Sequence, residues 1–164
     1  MDKKYKLLQD NTISIGGTTL YRIQALRDIG DVKAGDLGGY IQSEDNLSHD
    51  GNAWVYDHGT VRGNGTVCDN GVVCDNGIVW GNGVVWGNAL IRSGDDYLVL
   101  QGLGSANRTT TIMRSQDGGL LVSCGCFQGT LDEFAAKVKQ THGDNKYAKE
   151  YELCIELAKV HFGA

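Results

Sequence analysis

Between Leu37 and Gly94 the apolar positions recur every six residues. Val55, Val61, Val67, Val73, Val79, Val85 and Ile91 form one aliphatic column. Two places before each stands a small residue: Ala53, Gly59, Gly65, Gly71, Gly77, Gly83 and Ala89. One place earlier again runs a polar column, Asn52, His58, Asn64, Asn70, Asn76, Asn82 and Asn88, which Asn46 extends backwards. The unit V-x-[GD]-N-[GA]-x is an architectural repeat. Within it, [GA]-x-V-x alternates inward and outward as a short strand does, and the next two residues turn the chain. Asn, Gly and Asp suit such a turn because they tolerate positive φ. Six residues leave no room for helical crossovers. Three strands and three corners close a coil of eighteen residues, with coils stacking at about 4.8 Å. In the first units Ser43 and His49 hold the valine phase, while Ile41 and Leu47 hold the small one. Volume has moved from one inward position to the other, as close packing requires. The repeat is therefore predicted to start near Leu37 and to need a cap at each end.

The flanks carry different patterns. Ile13-Ser14-Ile15 and Leu20-Tyr21-Arg22-Ile23 alternate on either side of Gly16-Gly17, a hairpin signal placed to cap the first coil. After Ser93-Gly94-Asp95-Asp96 come three strand-like runs, Tyr97–Leu100, Thr109–Met113 and Leu120–Ser123. Thr130-Leu131-Asp132-Glu133 is a capping box opening a helix with Leu131, Phe134, Ala135 and Val138 on one face. A second helix, capped by Asp144 or Asn145, is predicted to run to about His161. Its expected buried set is Tyr147, Tyr151, Cys154, Ile155, Ala158 and Val160.

The repeat resembles the hexapeptide-repeat, left-handed parallel β-helix family. Handedness and a homotrimeric assembly are what that resemblance implies; the spacing supplies only the period. The expected fold is mainly β: a left-handed parallel β-helix of about three coils, with an N-terminal β-hairpin cap and a C-terminal α+β unit of three strands and two helices. The corresponding segments are 1–36, 37–94 and 95–164.

Stacking by eighteen sorts the outward positions into three faces. Trp54, Tyr56, Val72, Cys74, Leu90 and Arg92 share the first; Gln42, Glu44, Thr60, Arg62, Ile78 and Trp80 the second; Ser48, Asp50, Thr66, Cys68, Val84 and Trp86 the third. Arg62 should lie under Trp80 as a cation–π pair. Trp54, Tyr56, Val72, Trp80, Val84, Trp86 and Leu90 are the interface candidates, because contiguous exposed apolar area marks contact surfaces. They would be covered by the chain's own C-terminal segment or by another subunit, with ligand stacking on Trp80 or Trp86 as a third use.

Composition narrows the classes. The chain has 164 residues, 24 Gly, no Pro and a net charge of -5. Missing Pro excludes collagen and proline-rich disorder, and fits a parallel ladder that uses nearly every N–H. The acidic balance argues against non-specific nucleic-acid binding. No apolar run approaches the ~18 residues of a membrane span, and no apolar stretch follows Met1-Asp2-Lys3-Lys4 as a signal peptide requires. Cys68, Cys74, Cys124, Cys126 and Cys154, odd in number, read as reduced cytosolic thiols. The expected location is therefore the cytoplasm, with no membrane partner.

Chemistry is sparse. His58 sits at a turn position and His49 points inward, so neither has the setting of an acyltransferase histidine. Cys124-x-Cys126 lacks a second pair, so no metal or other cofactor is expected. The candidate site is an anion pocket in the C-terminal unit. Gly104 and Ser105 belong to a Gly-rich loop, Arg108 and Thr109 follow, and Ser123 leads toward the N-terminus of a helix, where free N–H groups favour phosphate. Arg114 and Lys146 would add charge.

Two longer stretches carry a second resemblance. One runs Leu20-Tyr21-Arg22-Ile23-Gln24-Ala25-Leu26-Arg27-Asp28 and on through Leu37-Gly38-Gly39-Tyr40-Ile41. The other comprises Asn107-Arg108-Thr109-Thr110-Thr111, Ser123-Cys124-Gly125-Cys126-Phe127 and Thr141-His142-Gly143-Asp144-Asn145. These resemble small repeat proteins encoded by bacteriophages and prophages, which implies phage origin. The expected function is a non-enzymatic, phage-encoded binding protein that antagonises a host defence, by sequestering a nucleotide-type signal or by occluding a defence protein. The alternative is an enzyme, either a degenerate hexapeptide-repeat acyltransferase or a phosphodiester-cleaving activity built from Ser105, Arg108 and His142.

Overall fold

The computed structural model describes residues 2–164. Strands β1 (Tyr5–Ile15) and β2 (Thr18–Ala25) form a hairpin, followed by β3 (Leu37–Ile41). Seven two-residue strands come next: β4 (Trp54–Val55), β5 (Thr60–Val61), β6 (Thr66–Val67), β7 (Val72–Val73), β8 (Ile78–Val79), β9 (Val84–Val85) and β10 (Leu90–Ile91). The remainder is β11 (Tyr97–Leu103), β12 (Arg108–Arg114), β13 (Leu120–Cys124), β14 (Phe127–Thr130), α1 (Leu131–His142) and α2 (Lys146–Phe162).

The six-residue pattern has a direct physical cause. Val55, Val61, Val67, Val73, Val79, Val85 and Ile91 are all fully buried in one core, while the residue before each faces outward or under a flanking segment. Parallel pairing joins residues eighteen apart, as in Trp54↔Val72↔Leu90 and Thr66↔Val84. The small column follows from close approach: a Cβ on Gly59 would lie 2.9 Å from the Val73 carbonyl oxygen. Positive φ falls on the residue before the polar column, at Asp57 ahead of His58 and at Asp69, Asp75, Gly63, Gly81 and Gly87 ahead of asparagines. The asparagines instead ladder. Asn64 Nδ2 donates to Asn82 Oδ1 at 2.9 Å, and Asn52 Nδ2 to Asn70 Oδ1 at 3.2 Å.

These pairings do not amount to the mainly-β, left-handed β-helix expected from the sequence. The protein is mixed, with 40% strand and 21% helix, and its strands fall into four separate sheets. One is a five-stranded mixed sheet (β1-β2-β3-β5-β8), two are parallel (β10-β7-β4 and β6-β9) and one is antiparallel (β11-β12-β13-β14). Two physical reasons explain the difference. Each repeat strand is two residues long, so strands on either side of a turn fall in different sheets, and each parallel ladder is only two or three strands deep. The hairpin is also no detached cap: β2 pairs antiparallel with β3, which turns one parallel ladder into a mixed sheet. The C-terminal unit has a fourth strand, β14, where three were expected.

Both open ends of the repeat core are sealed. At the first, Lys4 is fully buried and its Nζ donates to Ala53 O at 2.8 Å, while Tyr5 OH donates to Leu47 O at 2.7 Å. His49 stacks on the Tyr5 ring at 4.4 Å. At the second, β12 alternates between two cores. Met113 joins the valine core and Ile112 joins the core under α1 and α2. The helix core contains Phe134, Val138, Tyr151, Ile155 and Ala158, and also Ala148 and Phe162. Val160, expected inside, is 80% exposed, and Tyr147 is half-buried. The buried stripe runs Ala148, Tyr151, Ile155, Ala158, Phe162, at alternating spacings of three and four, which turns Val160 outward. Thr130 and Glu133 form the predicted capping box on α1, and Asn145 caps α2 through Tyr147 N and Ala148 N. Among the described residues no helix is long and apolar enough to cross a membrane.

Candidate functional site

In the repeat, residues two apart on one rung point to the same side. Pairing of Tyr40 with Thr60 and of β5 with β8 therefore lays out a grid on one outer face, with Tyr40, Thr60 and Ile78 in one column and Gln42, Arg62 and Trp80 in the next. The ladder continues through the second column, since Gln42 N donates to Val61 O at 3.0 Å and Arg62 N to Val79 O at 2.9 Å. Beyond this face, β11 rises as a wall. Together they enclose a groove of about 680 Å³ lined by Arg62, Ile78, Trp80, Tyr97, Val99 and Gln101.

The groove combines a flat apolar surface with a single charge. Trp80 is 59% exposed although large indoles are usually covered. The Arg62 guanidinium carbon lies 5.8 Å from the Trp80 ring centroid. Arg62 Nε is buried and has no hydrogen-bond partner among the described residues, and Arg62 is the one charged residue lining the groove. An unpaired buried donor of this kind costs about 1–3 kcal/mol until something accepts from it. Below the indole the backbone is tied to the wall. Tyr97 OH donates to the Trp80 carbonyl at 2.9 Å, and burial pushes the Tyr97 phenol up to about 12. Such an arrangement can stack a planar ring and receive an anion or carbonyl oxygen on a pre-positioned guanidinium. Among the described residues no group of three or more His, Cys, Asp or Glu side chains is placed to hold a metal.

The residues expected to form an anion pocket in the C-terminal unit have other partners. Gly104 N donates to Glu150 Oε2 at 2.9 Å, so a carboxylate of α2 already occupies that N–H. Tyr151 OH packs over the same glycine. Ser105 and Arg108 are exposed and Thr109 is half-buried. The Arg108 guanidinium lies across Gly125. Arg114, at the far end of β12 and about 20 Å from Arg108, donates to Phe162 O at 2.8 Å and sits 3.2 Å from Asp96 Oδ1. Ser123 is buried in the sheet opposite Thr111, and Lys146 Nζ lies 4.9 Å from the Tyr147 ring centroid. Gly104, Ser105, Arg108 and Thr109 lie at or beside the β11–β12 turn, but the seven residues are not brought to one place. Nor do Ser105 and Arg108 meet His142 in a catalytic pairing: its ring stacks on Tyr151 at 5.7 Å.

Of the seven interface candidates, one keeps its side chain largely in solvent. Trp54 is buried and meets Tyr5 edge-on at 6.3 Å, in a core that also holds Ile29 and Val32. Tyr56, Val72, Val84, Trp86 and Leu90 are half-buried, with Tyr56 and Trp86 packed against the valine core. Trp80 remains. Its pairing with Arg62 was legible at eighteen residues' separation, but the wall supplied by Tyr97, Val99 and Gln101 was not, because docking of β11 over that face leaves no periodic trace.

Compared with known proteins, the chain matches no family model and no curated protein.

Proposed function

We propose that this chain is a non-enzymatic binding protein that captures a small nucleotide-type ligand in the Trp80–Arg62 groove. One observation carries the reading: a buried, unpartnered guanidinium nitrogen beside an exposed indole, at the base of a groove large enough for a small molecule. A nucleotide offers a ring for the indole and a phosphate for the guanidinium. Stacking on an aromatic side chain contributes about 1–3 kcal/mol, and a charge-assisted hydrogen bond about 1.5–3 kcal/mol. Together these reach roughly the millimolar range. Micromolar capture needs the apolar wall of Ile78 and Val99 as well.

The resemblance of both flanks to phage-encoded repeat proteins supports a place of action in the infected host cytoplasm. There, sequestering a nucleotide signal would blunt a host defence. The test incubates purified protein with a panel of mono- and dinucleotides, removes free ligand, denatures the protein by heat and identifies what is released. Intact nucleotide in the filtrate supports capture. Altered nucleotide makes the protein an enzyme, and no retained nucleotide overturns the reading in favour of a protein target.

A further inference from the structure

The groove does not end at Ile78. On the other side of that residue lies a second recess of about 370 Å³, bounded by Ile13 and Ile15 of the hairpin and by Tyr40, His58, Thr60 and Asn76. Ile78, 41% exposed, lines both compartments. Each exceeds the ~300 Å³ at which small-molecule pockets begin. The second recess also contains an unsatisfied polar group. Thr60 is 5% exposed, and its Oγ1 is buried without a partner among the described residues. A hydroxyl left unpaired in the interior is unfavourable, and Thr60 lines this recess, so a ligand atom that reaches the hydroxyl would complete it.

Arg62 lines the first compartment, on the side nearest the second. It follows Thr60 by two residues on the same rung. Its Nη1 comes within 3.7 Å of where a Cβ on Gly16, at the hairpin tip, would be, and its guanidinium carbon lies beneath Trp80. The first compartment therefore carries one positive charge close to the second. A phosphodiester carries a single negative charge, whereas a phosphomonoester carries about 1.5 to 2 at neutral pH. A chain of net charge -5 also disfavours the more highly charged ligand.

Resting on the reading of the groove as a nucleotide site, we infer that the ligand is bipartite: two planar ring systems joined by a phosphodiester. One ring lies on Trp80, the diester on Arg62, and the second ring lies between Ile15 and Tyr40 with a polar edge on Thr60 Oγ1.

The test compares adenosine and guanosine 5′-monophosphates with the corresponding dinucleoside monophosphates, which hold one phosphodiester, on the full chain, by tryptophan fluorescence and calorimetry. Dinucleotides are expected to bind about 10- to 100-fold more tightly than mononucleotides, the range set by a second stacked ring. Thr60→Val keeps the shape of the side chain and removes the hydroxyl. It should lower the dinucleotide-to-mononucleotide affinity ratio about tenfold without lowering the melting temperature, since it deletes an unpaired polar group. Equal affinity for mono- and dinucleotides overturns the bipartite ligand and leaves single-nucleotide capture standing. A ratio unchanged in Thr60→Val overturns the placement of the second ring. Failure of every nucleotide to bind overturns nucleotide capture itself.

Discussion

The Tyr97 hydroxyl donates to the Trp80 carbonyl at 2.9 Å while the same phenol fills the space over Gly83. One side chain thus packs on the Trp80–Gly83 turn of the repeat and ties down the backbone under the groove. Tyr97→Phe removes the hydrogen bond and should cost about 1 kcal/mol. Gly83→Ala puts a methyl group into the phenol, and overpacking of that kind costs about 1–3 kcal/mol or more. Urea denaturation of both variants checks the order. Equal, small losses would mean that Tyr97 does not seal the core.

Trp54 and Trp80 separate stability from binding. Trp54 is fully buried against Tyr5, so Trp54→Ala should cost about 3–5 kcal/mol. Trp80 is mostly exposed, and Trp80→Ala should stay within about 0.5 kcal/mol of the parent while abolishing nucleotide retention. Melting curves and the release assay on the same preparations check both halves.

Much of the repeat was legible because its constraints are local. A valine every sixth residue, a glycine where a carbonyl approaches and an asparagine at a laddering corner each leave a mark at fixed spacing. The Arg62–Trp80 pair follows from the same arithmetic. Fold class did not follow, because sheet continuity depends on hydrogen bonds across turns and on how flanking strands join. The valine column is the same whether the ladders merge or remain four sheets. The plug of Lys4 and Tyr5 has no signal either, since a fully buried lysine contradicts its usual exposure. Nothing near Gly104 in the sequence shows that Glu150, 46 positions away, sits on its N–H. Val160 is a different case. The spacing of Ala148, Tyr151, Ile155, Ala158 and Phe162 is visible in the sequence, and Val160 lies off that stripe, so its apolar type alone does not place it in the core.

The asparagine column divides into two energetic roles. Asn46 is buried, and its Nδ2 donates to Gly63 O at 3.0 Å and Gly65 O at 2.8 Å, while its Oδ1 accepts from Ser43 N at 2.8 Å. Asn46→Ala leaves those backbone groups unpaired in the interior and should cost about 3 kcal/mol. Asn64 makes one exposed bond to Asn82, so Asn64→Ala should cost about 0.5–1 kcal/mol. Chemical denaturation measures both; similar losses would remove the distinction.

The five thiols should react in order of exposure and acidity. Cys126 is exposed, whereas Cys124 and Cys154 are buried. Burial, with Asp75 adding, pushes the Cys74 thiol up to about 11, and burial beside Cys124 does the same to Cys154. At pH 8 a thiol with that value is about one part in a thousand thiolate, the reactive form. Excess alkylating reagent should modify Cys126 first, Cys74 far more slowly and Cys154 on unfolding, as peptide mass mapping would read. Labelling of Cys154 as fast as Cys126 would contradict the closed helix core.

Lys4 makes stability depend on pH. Burial, with the charge of Arg27 adding, pushes its ammonium down to about 8 from an ordinary 10.5. Below about 8 the amine is protonated in both folded and unfolded chains, and the penalty of burying the charge is fully present. Between about 8 and 10.5 the unfolded chain binds more protons at this site, so stability rises with pH there. The thiols with raised values act in the opposite direction above about 9, so the lysine contribution is isolated by comparison with Lys4→Met. The melting temperature of the parent minus that of the variant should rise steadily from about pH 7 to about pH 9.5. A difference that stays flat over that range would mean that Lys4 keeps its proton in the plug, as an ammonium fully compensated by Ala53 O and its neighbours.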